Sequence, residues 1–116
     1  MDLSGKRAVI TGSTSGIGLG IARAMADAGA DIVLNSFTNT HDDHALASAM
    51  SNEFGISACY IQADMSDPEQ CRTLINACVT CDILINNAGI QHVAPIDEFP
   101  IDKWNAIIAI NLSSAF

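Results

Sequence analysis

Basic residues are scarce. Five Lys and Arg stand against thirteen Asp and Glu, a formal net charge of −8. Nucleic acid and anionic membrane both need clustered cations. The adjacent pairs Lys6-Arg7 and Asp102-Lys103 form no patch, and Arg23 and Arg72 stand alone, so neither partner is expected. Long apolar runs are also lacking. Ala106 to Ile110 and Ile83 to Ile85 fall far short of the ~18 residues a membrane span needs. Met1-Asp2-Leu3-Ser4 carries no basic n-region, and no apolar h-region precedes Ala8. The expected location is the cytoplasm, where the four cysteines stay reduced. From Asn111 to Phe116 there is no Gly, Pro, Lys or Arg to stop a helix, so the chain is expected to end inside one. What is present, 49 % apolar residues in a chain of 116, suffices for one core-bearing domain.

Apolar runs and breakers alternate along that domain. Arg7 to Thr11 reads as a strand, and a Gly/Ser/Thr loop follows from Gly12 to Gly18. Ile17, Ile21, Met25 and Ala28 recur at helical spacing, with Gly29 at the stop. Asp31 to Asn35 predicts a second strand and Asp42 to Phe54 a second helix, ended by Gly55. Ile56 to Gln62 predicts a third strand. Ser66 or Asp67 can cap a third helix, with Pro68 at its first position, running to about Val79. Asp82 to Asn86 predicts a fourth strand, Ala88 to Pro100 a loop, and Ile101 onward a last helix. Strand–helix alternation implies a parallel sheet covered on both faces. Right-handed crossovers make it a Rossmann-type doubly wound α/β fold with strand order 3-2-1-4. A six-stranded dinucleotide fold has two strands more, so residues 1–116 form a single, incomplete NAD(P)-binding domain.

The chemistry collects at strand ends. Gly12, Ser13, Thr14, Ser15, Gly16, Ile17 and Gly18 join the first strand to the first helix, where a dinucleotide fold seats its pyrophosphate. Glycine permits positive φ there, the three hydroxyls can donate, and Gly18 lets helix and strand pack closely. No Lys-Ser/Thr follows, which excludes a P-loop. Asn35-Ser36-Phe37 ends the second strand, where an acidic residue would select NAD and a basic one NADP. Neither is present; without a cation for a 2′-phosphate, NAD is expected over NADP, with Ser36 and Phe37 beside the ribose. Asp64 and Met65 can meet an adenine edge, or Asp64 can make an Asx turn ahead of the Ser66 cap. In Asn86-Asn87-Ala88-Gly89, two Asn side chains can hold adjacent strand ends, and Asn87, Ala88 and Gly89 leave room for a ribose. Asn111 is an unfavourable residue for a helix interior, a hint of a special role.

Thr-Gly-x3-Gly-x-Gly and Asn-Asn-Ala-Gly together resemble the short-chain dehydrogenase/reductase family over essentially the whole chain. The stretch from Asn87 to Ile96, then Phe99-Pro100 and Lys103 to Ile108, is similar to the branch that oxidises 3-hydroxybutyrate to acetoacetate with NAD. That resemblance implies an adenine role for Asp64 and a catalytic role for Asn111, holding a water in the proton relay. It implies that Gln91 donates to the carboxylate of a small hydroxy or keto acid, and that full-length relatives are homotetramers. The family's base is a Tyr with a Lys four positions later, oriented by a Ser. Here the single Tyr, Tyr60, is followed at that spacing by Asp64 and lies in a strand expected to be core. The catalytic Ser, Tyr and Lys are therefore missing, and the 116-residue chain alone is expected to be inactive. A non-catalytic nucleotide-binding or subunit-pairing module is the alternative. Cys71, Cys78 and Cys81, with Cys59, raise a thiol or metal reading. Cys78 lies at a helix C-terminus, where the dipole opposes a thiolate, so the cysteines are read as buried or half-buried bystanders and no metal is expected.

Overall fold

The computed structural model describes all 116 residues. Its elements run β1 (Arg7–Ile10), α1 (Gly16–Asp27), β2 (Asp31–Ser36), α2 (His41–Phe54), β3 (Ala58–Gln62), α3 (Pro68–Ala77), β4 (Ile83–Ile85) and α4 (Ile101–Asn111). The four strands are parallel in the order β3-β2-β1-β4. This is the doubly wound Rossmann-type sheet that the alternation implies.

Side chains alternate across the strands, and that alternation builds two cores. Ala8 and Ile10 of β1, with Ile32 and Leu34 of β2, pack on one face against Ala22 and Ala26 of α1 and Ala47 and Met50 of α2. Val9 and Val33 point the other way, against Ala63, Met65 and Leu74, with Cys71, Cys78 and Ile110 at the margin. The second face is thinner, and no residue of α4 is buried. The outer edge of β4 has no neighbour in the sheet, and Leu84 is 44 % exposed.

Helix boundaries follow local chemistry. Thr40 caps α2 in a capping box with Asp43, and Gly55 ends it in the left-handed conformation at φ +66. Asp67, not Ser66, caps α3, accepting from the Glu69 N–H, with Pro68 inside. The last helix departs from expectation: α4 ends at Asn111, Leu112 caps it, and Ser113–Ala115 tightens into a 3₁₀ turn. Asn111 is still helical, and the break comes at Leu112, whose φ of −119 departs from the helix. A further 3₁₀ turn, Ile96–Glu98, interrupts the loop before α4.

Candidate functional site

The loop from Gly12 to Ser15 leaves β1 at the C-terminal edge of the sheet, beside the ends of β2, β3 and β4. A cleft of about 260 Å³ opens there. Thr14, Ser15, Ser36, Phe37, Asp64, Met65, Asn87, Ala88 and Gly89 all line it. Sequence reasoning placed each of these at a cofactor site, and the fold brings them together.

Two glycines make the turn possible. Gly12 has φ +61 and Gly16 φ +57, the left-handed region that side chains avoid. Gly18 is demanded by space. A Cβ there would lie 2.3 Å from the Gly12 carbonyl oxygen and 2.5 Å from Asn87 Nδ2. Ser15 precedes α1 without a side-chain cap, and the first turn holds no acidic residue. The N–H groups of Gly16, Ile17 and Gly18 therefore face outward with the positive end of the helix dipole. Ile17 itself is 78 % exposed.

Ser13 corrects its expected role. It is fully buried; its hydroxyl donates to the Ile10 carbonyl (2.7 Å) and accepts from the Asn35 N–H (2.9 Å). That hydroxyl holds the loop to β2 and has no donor left for phosphate. Asn35, 1 % exposed, does the same from the other side. Its Oδ1 accepts from the Gly12 N–H (3.2 Å), and its Nδ2 donates to the carbonyls of Ile61 and Ala63 (3.1 and 3.3 Å). It was read only as part of a ribose-recognition segment. The signal for its structural role was a lone amide in the apolar run Ile32-Val33-Leu34.

Of the consecutive asparagines, only Asn87 pins the strands. Its Nδ2 donates to the carbonyls of Thr11 (3.0 Å) and Gly12 (2.9 Å). Asn86 makes no side-chain hydrogen bond within the chain and lines a different groove, because successive residues at a strand end point to opposite faces. Thr11 opens the glycine motif, and its role is structural. Its hydroxyl oxygen accepts from the N–H groups of Asn87 (3.1 Å) and Ala88 (3.0 Å), tying β1 to the chain leaving β4.

Asp64 does form the Asx turn: Oδ1 accepts from the Ser66 N–H (2.9 Å) and hydroxyl (2.7 Å). Its Oδ2 makes no bond within the chain and remains free to accept. Asn111 is bonded at both ends of its amide. Oδ1 accepts from the Ile90 N–H and Nδ2 donates to the Ile90 carbonyl, each at 2.9 Å. The side chain is thus a clamp between α4 and the loop after β4. Gln91, the next residue, is exposed and does not line the cleft.

The cysteines divide. Cys71 and Cys78 are half-buried and donate to the carbonyls of Met65 and Leu74, whereas Cys59 and Cys81 are exposed rather than buried. Desolvation pushes the thiols of the half-buried Cys71 and Cys78 above their ordinary value, opposing thiolate formation. A larger apolar groove, about 660 Å³, lies on the thinner face between α3, β4 and the segment after α4. It holds none of the glycine loop.

A parallel sheet in this order, with a glycine turn opening an uncapped helix at its C-terminal edge, defines a Rossmann-type fold. Residues 6–116 match the model of the short chain dehydrogenase family, and the chain belongs to that family. It is 50 % identical to the D-beta-hydroxybutyrate dehydrogenase of Cupriavidus necator, over 98 % of this chain and 45 % of that enzyme. Its fold superposes on L-sorbose reductase from Gluconobacter frateurii, solved with NADPH and L-sorbose (TM-score 0.90, 35 % identity, 98 % of this chain and 44 % of that one). It also superposes on the NADH-dependent reductase A1-R′ complexed with NAD (TM-score 0.88, 32 % identity, 97 % and 48 %). The chain spans about half the length of the proteins it matches. Its structural relatives include binders of both nicotinamide cofactors.

Proposed function

We propose that this chain is the cofactor-binding part of an oxidoreductase that moves a hydride between NAD and a small hydroxy acid, with 3-hydroxybutyrate and acetoacetate as the pair. The observation that carries the cofactor reading is the crowding at Gly18, where helix, turn and Asn87 meet with no room for a Cβ and leave the α1 N–H groups uncapped. The substrate reading rests on the 50 % identity to a D-beta-hydroxybutyrate dehydrogenase.

The bound nicotinamide would supply the hydride acceptor or donor. Gly16, Ile17 and Gly18 would hold the diphosphate through their N–H groups, at the end of α1 where an anion is favoured. The free Oδ2 of Asp64 would accept from the adenine amino group, with Met65 beside it. Ser36 and Phe37 would face the adenosine ribose. None of the residues lining the cleft is Lys or Arg, so nothing there neutralises a 2′-phosphate, which favours NAD over NADP. Asn87, Ala88 and Gly89 would border the second ribose. Asn111 would hold a water in the proton relay while its amide fixes Ile90, and Gln91 would donate to the substrate carboxylate.

Deprotonating the substrate hydroxyl needs a base, and the sequence holds no Tyr with Lys four positions on. Titrating the purified chain with NADH and NADPH, by nicotinamide fluorescence, should show binding with NADH the tighter ligand. Assays with 3-hydroxybutyrate and NAD should show no turnover by the 116-residue chain. Absence of NADH binding would overturn the cofactor reading, and turnover would overturn the claim that the base lies outside this chain.

A further inference from the structure

The segment joining β2 to α2 is held at every residue. The Ser36 carbonyl accepts from the Tyr60 hydroxyl (3.1 Å) and from the Ala63 N–H (3.0 Å). The Phe37 carbonyl accepts from Gln62 Nε2 (3.0 Å), and the Thr38 carbonyl shares the single Tyr60 hydroxyl proton with that of Ser36. On the α2 side, one carboxylate oxygen of Asp43 accepts from the Thr38 hydroxyl (2.8 Å), the Thr40 hydroxyl (3.0 Å) and the Thr40 N–H (2.9 Å). The Asn39 carboxamide oxygen pairs with His44 Nε2 at 2.8 Å. Three successive carbonyls are turned toward β3 and held there by two of its side chains.

Burial alone does not account for this. The ring of Tyr60 packs in the core between α2 and the sheet, which a Phe would do equally well. Its hydroxyl spends both contacts on a surface segment outside its own strand. That segment carries Ser36 and Phe37 into the cleft, and Phe37 is 69 % exposed. A mobile loop could yield to an added phosphate or let solvent reach it. A held loop keeps the Ser36–Thr38 carbonyls in one arrangement.

We propose that Tyr60, aided by Gln62, is a positioning residue for cofactor selection: it fixes the Ser36–Thr38 backbone at a ribose wall that can meet a 2′-hydroxyl and offers no cation to a 2′-phosphate. This rests on reading the cleft as a nicotinamide dinucleotide site. The test uses the full chain with Tyr60→Phe, Gln62→Leu and, as a control, Ser51→Ala, which removes a bond to the Ile56 carbonyl at the far end of α2. NADH and NADPH dissociation constants and thermal midpoints are measured for each. Tyr60→Phe should weaken NADH about three- to tenfold while leaving NADPH unchanged or tighter. Gln62→Leu, a surface change that leaves the core intact, should narrow the preference in the same direction by a smaller factor. Ser51→Ala should lower the midpoint and keep the preference. A preference held within about twofold in both β3 variants, or narrowed equally in the control, overturns the proposal alone. A wild-type chain that binds neither dinucleotide, or prefers NADPH, overturns the cofactor reading and the proposal with it.

Discussion

At Asn35 a carboxamide sits 1 % exposed among backbone groups, and each of its polar atoms is spent on them. Ser13 and Thr11 behave alike: short polar side chains in the floor of the site bond to main chain, and no buried side-chain nitrogen or oxygen lacks a partner. Tyr60 is the one such residue that titrates. Desolvation pushes its phenol above the ordinary value of about 10. The one hydroxyl proton, shared between the Ser36 and Thr38 carbonyls, exists only in the neutral phenol. Stability from this group is therefore complete below the unfolded phenol's pKa and is lost as pH rises through the higher folded value. Because the chain has a single Tyr, an ultraviolet phenolate titration reads this residue alone. Its midpoint should lie above that of the unfolded chain in denaturant. A coincident midpoint would show the hydroxyl to be in water.

The β1–α1 turn shows what a motif can and cannot disclose. Gly12, Gly16 and Gly18 were legible because glycine spacing records backbone constraints directly, and the coordinates give each a reason: positive φ at the first two, contact at the third. Gly18→Ala should cost about 1–3 kcal/mol as overpacking, and it should also lose NADH binding, since relief requires moving the turn or Asn87. A thermal melt near wild type with unchanged binding would refute the close approach. Ser13 was misread because a hydroxyl in such a loop can face ligand or main chain, and spacing does not say which. Strand pairing was legible from β-branched runs and breakers, with β3 and β4 shorter than expected at their ends. The end of α4 was not, because the turn at Leu112 and Ser113–Ala115 carries no Gly or Pro to mark it, and the role of the Asn111 side chain lies at Ile90, a partner remote in sequence. Gln91 likewise depends on the course of an irregular loop, which composition does not encode.

Across the whole molecule the two faces of the sheet are unequal. Ten buried residues join α1 and α2 to one face and five join α3 and α4 to the other. The apolar groove and the open edge of β4 both lie on the thinner side. Stability is therefore distributed unevenly, and the cleft draws its walls from both halves: Gly12 and Ser36 from the well-packed one, Gly89 and Ile90 from the loop tied to α4.

The Asn111 clamp then has a thermodynamic consequence. A helix with no buried residue should open locally far more often than the central strands, and each opening releases Ile90 and the wall of the cleft beside it. Amide protons of α4 should exchange with deuterium well ahead of those in β1 and β2. A ligand bridging the glycine turn and Gly89 would bind only the closed form, so its occupancy should be read as slowed exchange along the whole of α4, which meets the cleft only at Ile110.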